Sequence, residues 1–161
     1  MLVAMFVAIA YTGIVHISIE HKSAQQVMAS LRLNQHVKDK LMAEPTKDLY
    51  IEMGSQFAIA AYYEPDPEIR SRLTLVYSQS QELLWDNMDT IALTADHMRN
   101  FTNFKIVPFE SVVGQSGDHM FVDYGTGQWT WTHQALQASH ASIKPIGSAV
   151  GGQLVSAQFL P

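Results

Sequence analysis

From Leu2 to Ile19 the chain reads LVAMFVAIAYTGIVHISI, a run without a formal charge. As a helix such a run rises about 27 Å, close to the thickness of a bilayer's hydrocarbon layer. A segment apolar on every side has to be buried, in lipid or against other helices, and that requirement constrains whatever follows it. No Lys or Arg precedes it, so the basic start of a cleaved signal peptide is missing and a retained single-pass membrane anchor is expected. No Pro or Gly occurs between Ile14 and Glu44, and Ala24, Val27, Met28, Leu31, Val37 and Leu41 recur at helical spacing. The pattern predicts one continuous helix over 2–42, apolar all round and then one-sided, ended by Pro45. Within it Ala4, Ala8 and Gly13 allow a neighbouring helix to approach closely, and His16 is an ionisable group near the end of the span. These four are the candidate assembly residues.

Residues 43–161 read as a separate α+β head. They carry six basic and thirteen acidic side chains, a net charge near −7. Such a head repels a phosphate backbone, and no run of Lys and Arg is present to displace counterions, so a nucleic-acid partner is not expected. The absence of Cys excludes disulfides, thiolate metal sites and iron-sulfur clusters.

Within the head, Leu49, Met53, Phe57 and Ala60 predict a helix over Thr46 to Tyr63. Asp66 and Pro67 form an N-cap and first-turn pair for a long third helix reaching about His97, with Ile69, Leu73, Val76, Leu83, Leu84, Met88 and Ile91 on its apolar face. After Phe101 the composition turns to Gly, Ser, Thr, Val and aromatics, which predicts an antiparallel β-rich region. Its clearest element is a hairpin, HMFVDY and QWTWT joined by GTG. Strands are also expected at 105–107, 110–113 and 153–160, while 133–151 carries no clear signal.

Chemistry is not advertised. The histidines lack the i, i+3 or i, i+4 spacing that sets two imidazoles on one helical face, and HExxH and HxH are absent. Ser111, Ser116, His119 and Asp123 crowd the hairpin, but no GxSxG elbow accompanies them, and the glycines at 147, 151 and 152 lack the pattern of a phosphate loop. The expectation is a protein that is not an enzyme and has no cofactor, metal or catalytic residue. Tyr124, Trp129 and Trp131 could form a contact surface, or pack on the long helix as aromatic stripes on strands commonly do.

This layout, with its uncharged apolar start, helix running on into a head, helical middle and β-rich end, resembles the type IV pilins and pseudopilins. The resemblance implies that N-terminal helices bundle into a filament core with the heads outside. Gly13 lies near where many pilins carry a helix-loosening glycine, and a chain beginning MLVAMF resembles those starting with Met. The chain departs from the family at Met5, where the family carries a Glu that pairs with a neighbouring N-terminus. The function implied is a structural subunit of an extracellular filament, partnered by copies of itself and by membrane lipid. The alternative is a single-span accessory subunit of a membrane complex or virion membrane, partnered by other subunits; Lys22, Arg32, Lys38 and Lys40, following the apolar run, favour it.

Overall fold

Strands covered on both faces need apolar residues at successive positions, and in this chain that requirement is met in short bursts of three to five residues. The computed structural model describes residues 33–126, 130–149 and 151–160. It begins with α1 (Gln35–Ala43), followed by β1 (Leu49–Ile51), α2 (Gly54–Tyr63), α3 (Pro67–Ser71), β2 (Leu73–Tyr77), α4 (Gln79–Trp85) and α5 (Thr90–Phe101). Then come β3 (Lys105–Pro108), α6 (Phe109–Val113), β4 (Gly117–Asp123), α7 (Thr132–Ala138), β5 (Ser142–Ala149) and β6 (Gly152–Phe159).

The strands form one sheet in the order β3-β2-β1-β4-β6-β5. Strands β1 to β4 are mutually parallel, with Leu49 opposite both Leu73 and Met120, and β6 runs antiparallel between β4 and β5. Because side chains alternate across a strand, the sheet has two apolar faces. Leu49, Ile51, Leu73, Leu75, Ile106, Met120 and Val122 pack with Val37 and Leu41 of α1, Phe57 and Ala60 of α2 and Ala95 of α5. On the opposite face Tyr50, Val76, Phe121, Val155 and Phe159 pack with Phe109 and Val112 of α6 and with Trp131, Ala135 and Leu136 at α7. Helices thus cover both faces, and the arrangement is doubly wound. Of the helices between β1 and β3, α2, α3 and α5 pack on one face, whereas α6, between β3 and β4, packs on the other.

This architecture corrects the expected α+β fold with an antiparallel C-terminal region: the sheet is mixed, its centre is parallel, and its first two strands lie where helices were predicted. Leu49–Ile51 falls inside the predicted second helix and Leu73–Tyr77 inside the long third one. A short apolar run fits either period, and only the neighbouring strands decided for β. Asp66 and Pro67 do start a helix, the Asp66 side chain accepting from the amides of Glu68 and Ile69, but that helix ends at Ser71. The QWTWT half of the expected hairpin is no strand where it is described: Thr130 and Trp131 are irregular, Thr132 opens α7, and β4 pairs instead with β1 and β6. Residues 110–113 are helical, whereas the strands expected at 105–107 and 153–160 are present.

The continuous helix over 2–42 is also corrected within the described residues. Asn34 has extended backbone (φ −72°, ψ 160°), and its side chain accepts from Val37 N at 2.9 Å, so α1 starts there as a capped helix. Among the described residues no helix is long and apolar enough to cross a membrane, and the longest has 12 residues; this counts against the expected single-pass anchoring. The run at 2–19 lies outside the described residues.

Arg72, buried at the start of β2, ties α1 to the sheet. Its guanidinium donates to Leu41 O at 2.7 Å, Glu44 O at 2.5 Å and Lys47 O at 2.5 Å, with Nε also reaching Lys47 O at 2.9 Å. Charge-assisted bonds to carbonyls that have left water are among the stronger polar contacts. Replacing Arg72 by Ala is expected to cost about 3 kcal/mol in a urea titration, and Lys, which cannot form the planar fork, should recover less than half of that.

Candidate functional site

In a doubly wound sheet the backbone itself marks a site. Where connections leave to opposite faces, a crevice opens beyond the carboxyl ends of the two adjacent strands. Here that point lies between β1 and β4, and the residues that follow these strands are Glu52, Met53 and Gly54 on one side and Tyr124 and Gly125 on the other, after the terminal Asp123 of β4.

Glu52 is 1% exposed. Its Oε2 accepts from Trp131 N at 3.1 Å, from Thr132 N at 2.7 Å and from the Thr132 hydroxyl, so it holds the start of α7. Its Oε1 is buried and has no hydrogen-bond partner among the described residues. Burial pushes the carboxyl up to about 7, against the pull of the three donors, and the nearby Asp86 adds to the rise. Burial likewise raises Asp86 and the Tyr124 hydroxyl, the latter also feeling the charge of Glu52. The edge is therefore acidic and partly desolvated.

Asp123 at the end of β4 is 7% exposed. One of its oxygens accepts from Gly125 N at 2.7 Å, and the other meets His133 Nδ1 at 2.8 Å. Gly152 lets β6 begin here, since a Cβ at that position would stand 2.4 Å from Asp123 O.

Beside β1 lies a cavity of about 420 Å³, lined by Met53, Gly54, Ser55, Leu75, Thr90, Thr94, Ala95 and Met98. Its walls are mainly apolar, with three hydroxyls among them, and its size is that of a small-molecule pocket. Met53 gives α2 no side-chain cap, and a Cβ built on Gly54 would meet nothing within 4 Å, so the first turn of α2 faces open space. A second cavity of about 420 Å³ lies at the amino ends of β2 and β3, beside Leu73 and Lys105, away from the edge where such sheets bind ligands.

The expected assembly residues Ala4, Ala8, Gly13 and His16 and the aromatic Trp129 lie outside the described residues. Trp131 is fully buried and packs edge-on against Phe109 at 5.2 Å, so it is core; Tyr124 is partly buried at the edge of the other apolar cluster. They do not form one aromatic surface. His119 and Asp123 sit near opposite ends of β4, about 13 Å apart at strand rise, and Ser111 is occupied with Pro108 O, so the crowded residues of the sequence do not converge. Among the described residues no group of three or more His, Asp or Glu is arranged to hold a metal. Sequence reasoning missed Glu52, whose signal was an acid directly before Met-Gly at the end of an apolar triplet, and the Asp123–His133 pair, ten residues apart and joined only by the fold.

The raised Glu52 carries a pH signature. The folded protein keeps this proton to about pH 7, while the unfolded chain releases it near 4.5, so its contribution is full below pH 4.5 and is lost as pH rises to 7. The fall in stability should be about 3 kcal/mol over that window. In Glu52→Gln that part of the pH dependence should vanish in denaturant titrations at pH 4.5, 6 and 7.5; an unchanged profile would place the proton elsewhere. No family model, curated protein or solved structure matches this chain.

Proposed function

We propose that residues 33–160 form a small-molecule-binding α/β domain that takes a nucleoside-sized, neutral or positively charged ligand at the carboxyl edge of β1, β2 and β4. The observation that carries this reading is Glu52: a buried carboxyl with one oxygen left without a partner, at the topological switch point and next to the residues that line a cavity. A buried polar atom of this kind costs stability in the free protein, which is expected where a ligand supplies the missing partner.

Charge and loop chemistry narrow the class. Phosphate-binding doubly wound domains cradle the anion on a glycine-rich turn, whereas here β1 is followed by Glu-Met-Gly-Ser-Gln, with a single glycine, and Asp86 and Asp123 share the edge. Acidic groups in a partly desolvated crevice favour a cation or neutral hydroxyls over a phosphate. Met53, Leu75, Ala95 and Met98 suit a flat apolar ring, and Ser55, Thr90 and Thr94 offer hydroxyls to its edge. The filament reading rests on residues 2–19, outside this domain, and plays no part in the assignment.

The test is a thermal-shift and NMR titration of the full chain with adenosine, a nucleoside bearing a sulfonium or ammonium group, AMP and NAD. The uncharged and cationic nucleosides should stabilise the protein and shift the amides of 53–55 and 90–98, and AMP and NAD should bind at least tenfold more weakly. Thr94→Trp, at an exposed lining position, should weaken binding at least tenfold without lowering stability by more than about 1 kcal/mol. Equal binding of AMP, or no response to any of the four, would overturn the reading.

A further inference from the structure

We infer that His133, oriented by Asp123, is a proton acceptor for a hydroxyl or amine of a molecule bound at this edge; the inference rests on the ligand reading above. The imidazole lies on the first turn of α7 and its partner at the last residue of β4, so two separate elements bring the pair together. The hydrogen bonds also fix the tautomer. Asp123 Oδ2 stands 2.8 Å from Nδ1, a carboxylate oxygen that accepts, which assigns the proton to Nδ1. Nε2 is left with its lone pair, and the Gln137 amide, 3.0 Å away, donates to it. Gln137 is exposed and His133 is 26% exposed, so the amide occupies a position that a substrate O–H or N–H can take instead.

Asp123 is itself constrained. Its second oxygen accepts from Gly125 N at 2.7 Å, and the close passage of Gly152 against Asp123 O leaves the strand end little freedom. The imidazole is thereby held in one orientation and one tautomer, as a general base requires. Docking of α7 does not need this pair, because Glu52 already holds the amides of Trp131 and Thr132, and Trp131, Ala135 and Leu136 bury the helix against the sheet. Strand β4 runs parallel beside β1, so Asp123 with His133 and the cavity residues Met53, Gly54 and Ser55 all lie at the carboxyl ends of adjacent strands, and the bound molecule is placed across that edge. In the step proposed, the substrate's O–H or N–H bond breaks, its electron pair stays on the heteroatom, and the proton joins Nε2. Asp123 stabilises the resulting imidazolium through the Nδ1–H bond, and the proton later leaves to water.

The test is carbethoxylation of the full chain by diethyl pyrocarbonate, which needs an imidazole nitrogen with a free lone pair, read residue by residue by mass spectrometry with the exposed His140 as internal reference. In Asp123→Asn the amide can donate to Nδ1 and move the ring proton to Nε2, so His133 should react about tenfold more slowly than in the wild type while His140 is unchanged. Gln137→Ala, at an exposed position that does not threaten folding, should speed the reaction at His133 at least twofold. Equal rates at His133 in the wild type and in Asp123→Asn with unchanged circular dichroism, or no effect of Gln137→Ala, would overturn the inference. Saturating adenosine should protect His133 and spare His140. Shifted cavity amides without protection would remove the proton-acceptor role and leave the ligand reading intact; no shifted amides, with the variant effects present, would fault the ligand reading and not the dyad.

Discussion

One buried carboxyl ties the end of the central strand to the helix that follows its neighbour. Glu52 leaves the end of β1, the central and shortest strand, and accepts from two backbone amides and a hydroxyl at the start of α7, which follows β4. Its cost is that of a carboxyl taken out of water, shown by the rise to about 7, and the three donors offset only part of it. A purely structural tie could use a neutral side chain at this place and avoid that cost. A buried carboxyl with one oxygen unpartnered among the described residues, at the point where chain connections diverge, is the arrangement expected where stability is exchanged for binding.

The rest of the architecture supports that edge. Leu49, Tyr50 and Ile51 are all buried, since a three-residue strand at the centre of a doubly covered sheet has no solvent face. Covering both faces takes helices from both parts of the domain: Val37, Leu41, Phe57 and Ala95 of α1, α2 and α5 cover one face, and Phe109, Val112, Ala135 and Leu136 of α6 and α7 cover the other. The closing hairpin of β5 and β6 adds two antiparallel strands beyond β4, and Gly152 permits its close start beside Asp123. Asp123 is thus gripped at the point where it meets His133.

Local chemistry was legible wherever a side chain acts on its own backbone. Asp66 with Pro67 announced the start of α3, Pro45 followed the end of α1, and the alternating apolar residues of 153–160 gave a strand. Leu49–Ile51 and Leu73–Tyr77 were not legible as strands, because an apolar run of three to five residues fits one turn of a buried helix equally well. The candidate site was almost silent for a related reason. Glu52, Asp123 and His133 carry no fixed spacing, and the pairing that gives them chemical meaning exists only after β1 and β4 lie side by side.

What the sequence by itself determined is therefore local and compositional: a chain without cysteine chemistry, an acidic region after residue 42, an uncharged apolar run over 2–19, and helix starts and stops written in Asp66, Pro67 and Pro45. The tertiary structure alone decided the parallel pairing of β1 with β2 and β4, the burial of Trp131 and the meeting of Asp123 with His133. The physical reason is that capping and turn energies act within a few residues, whereas sheet order is set by which distant apolar faces can be covered together, a property of the whole chain.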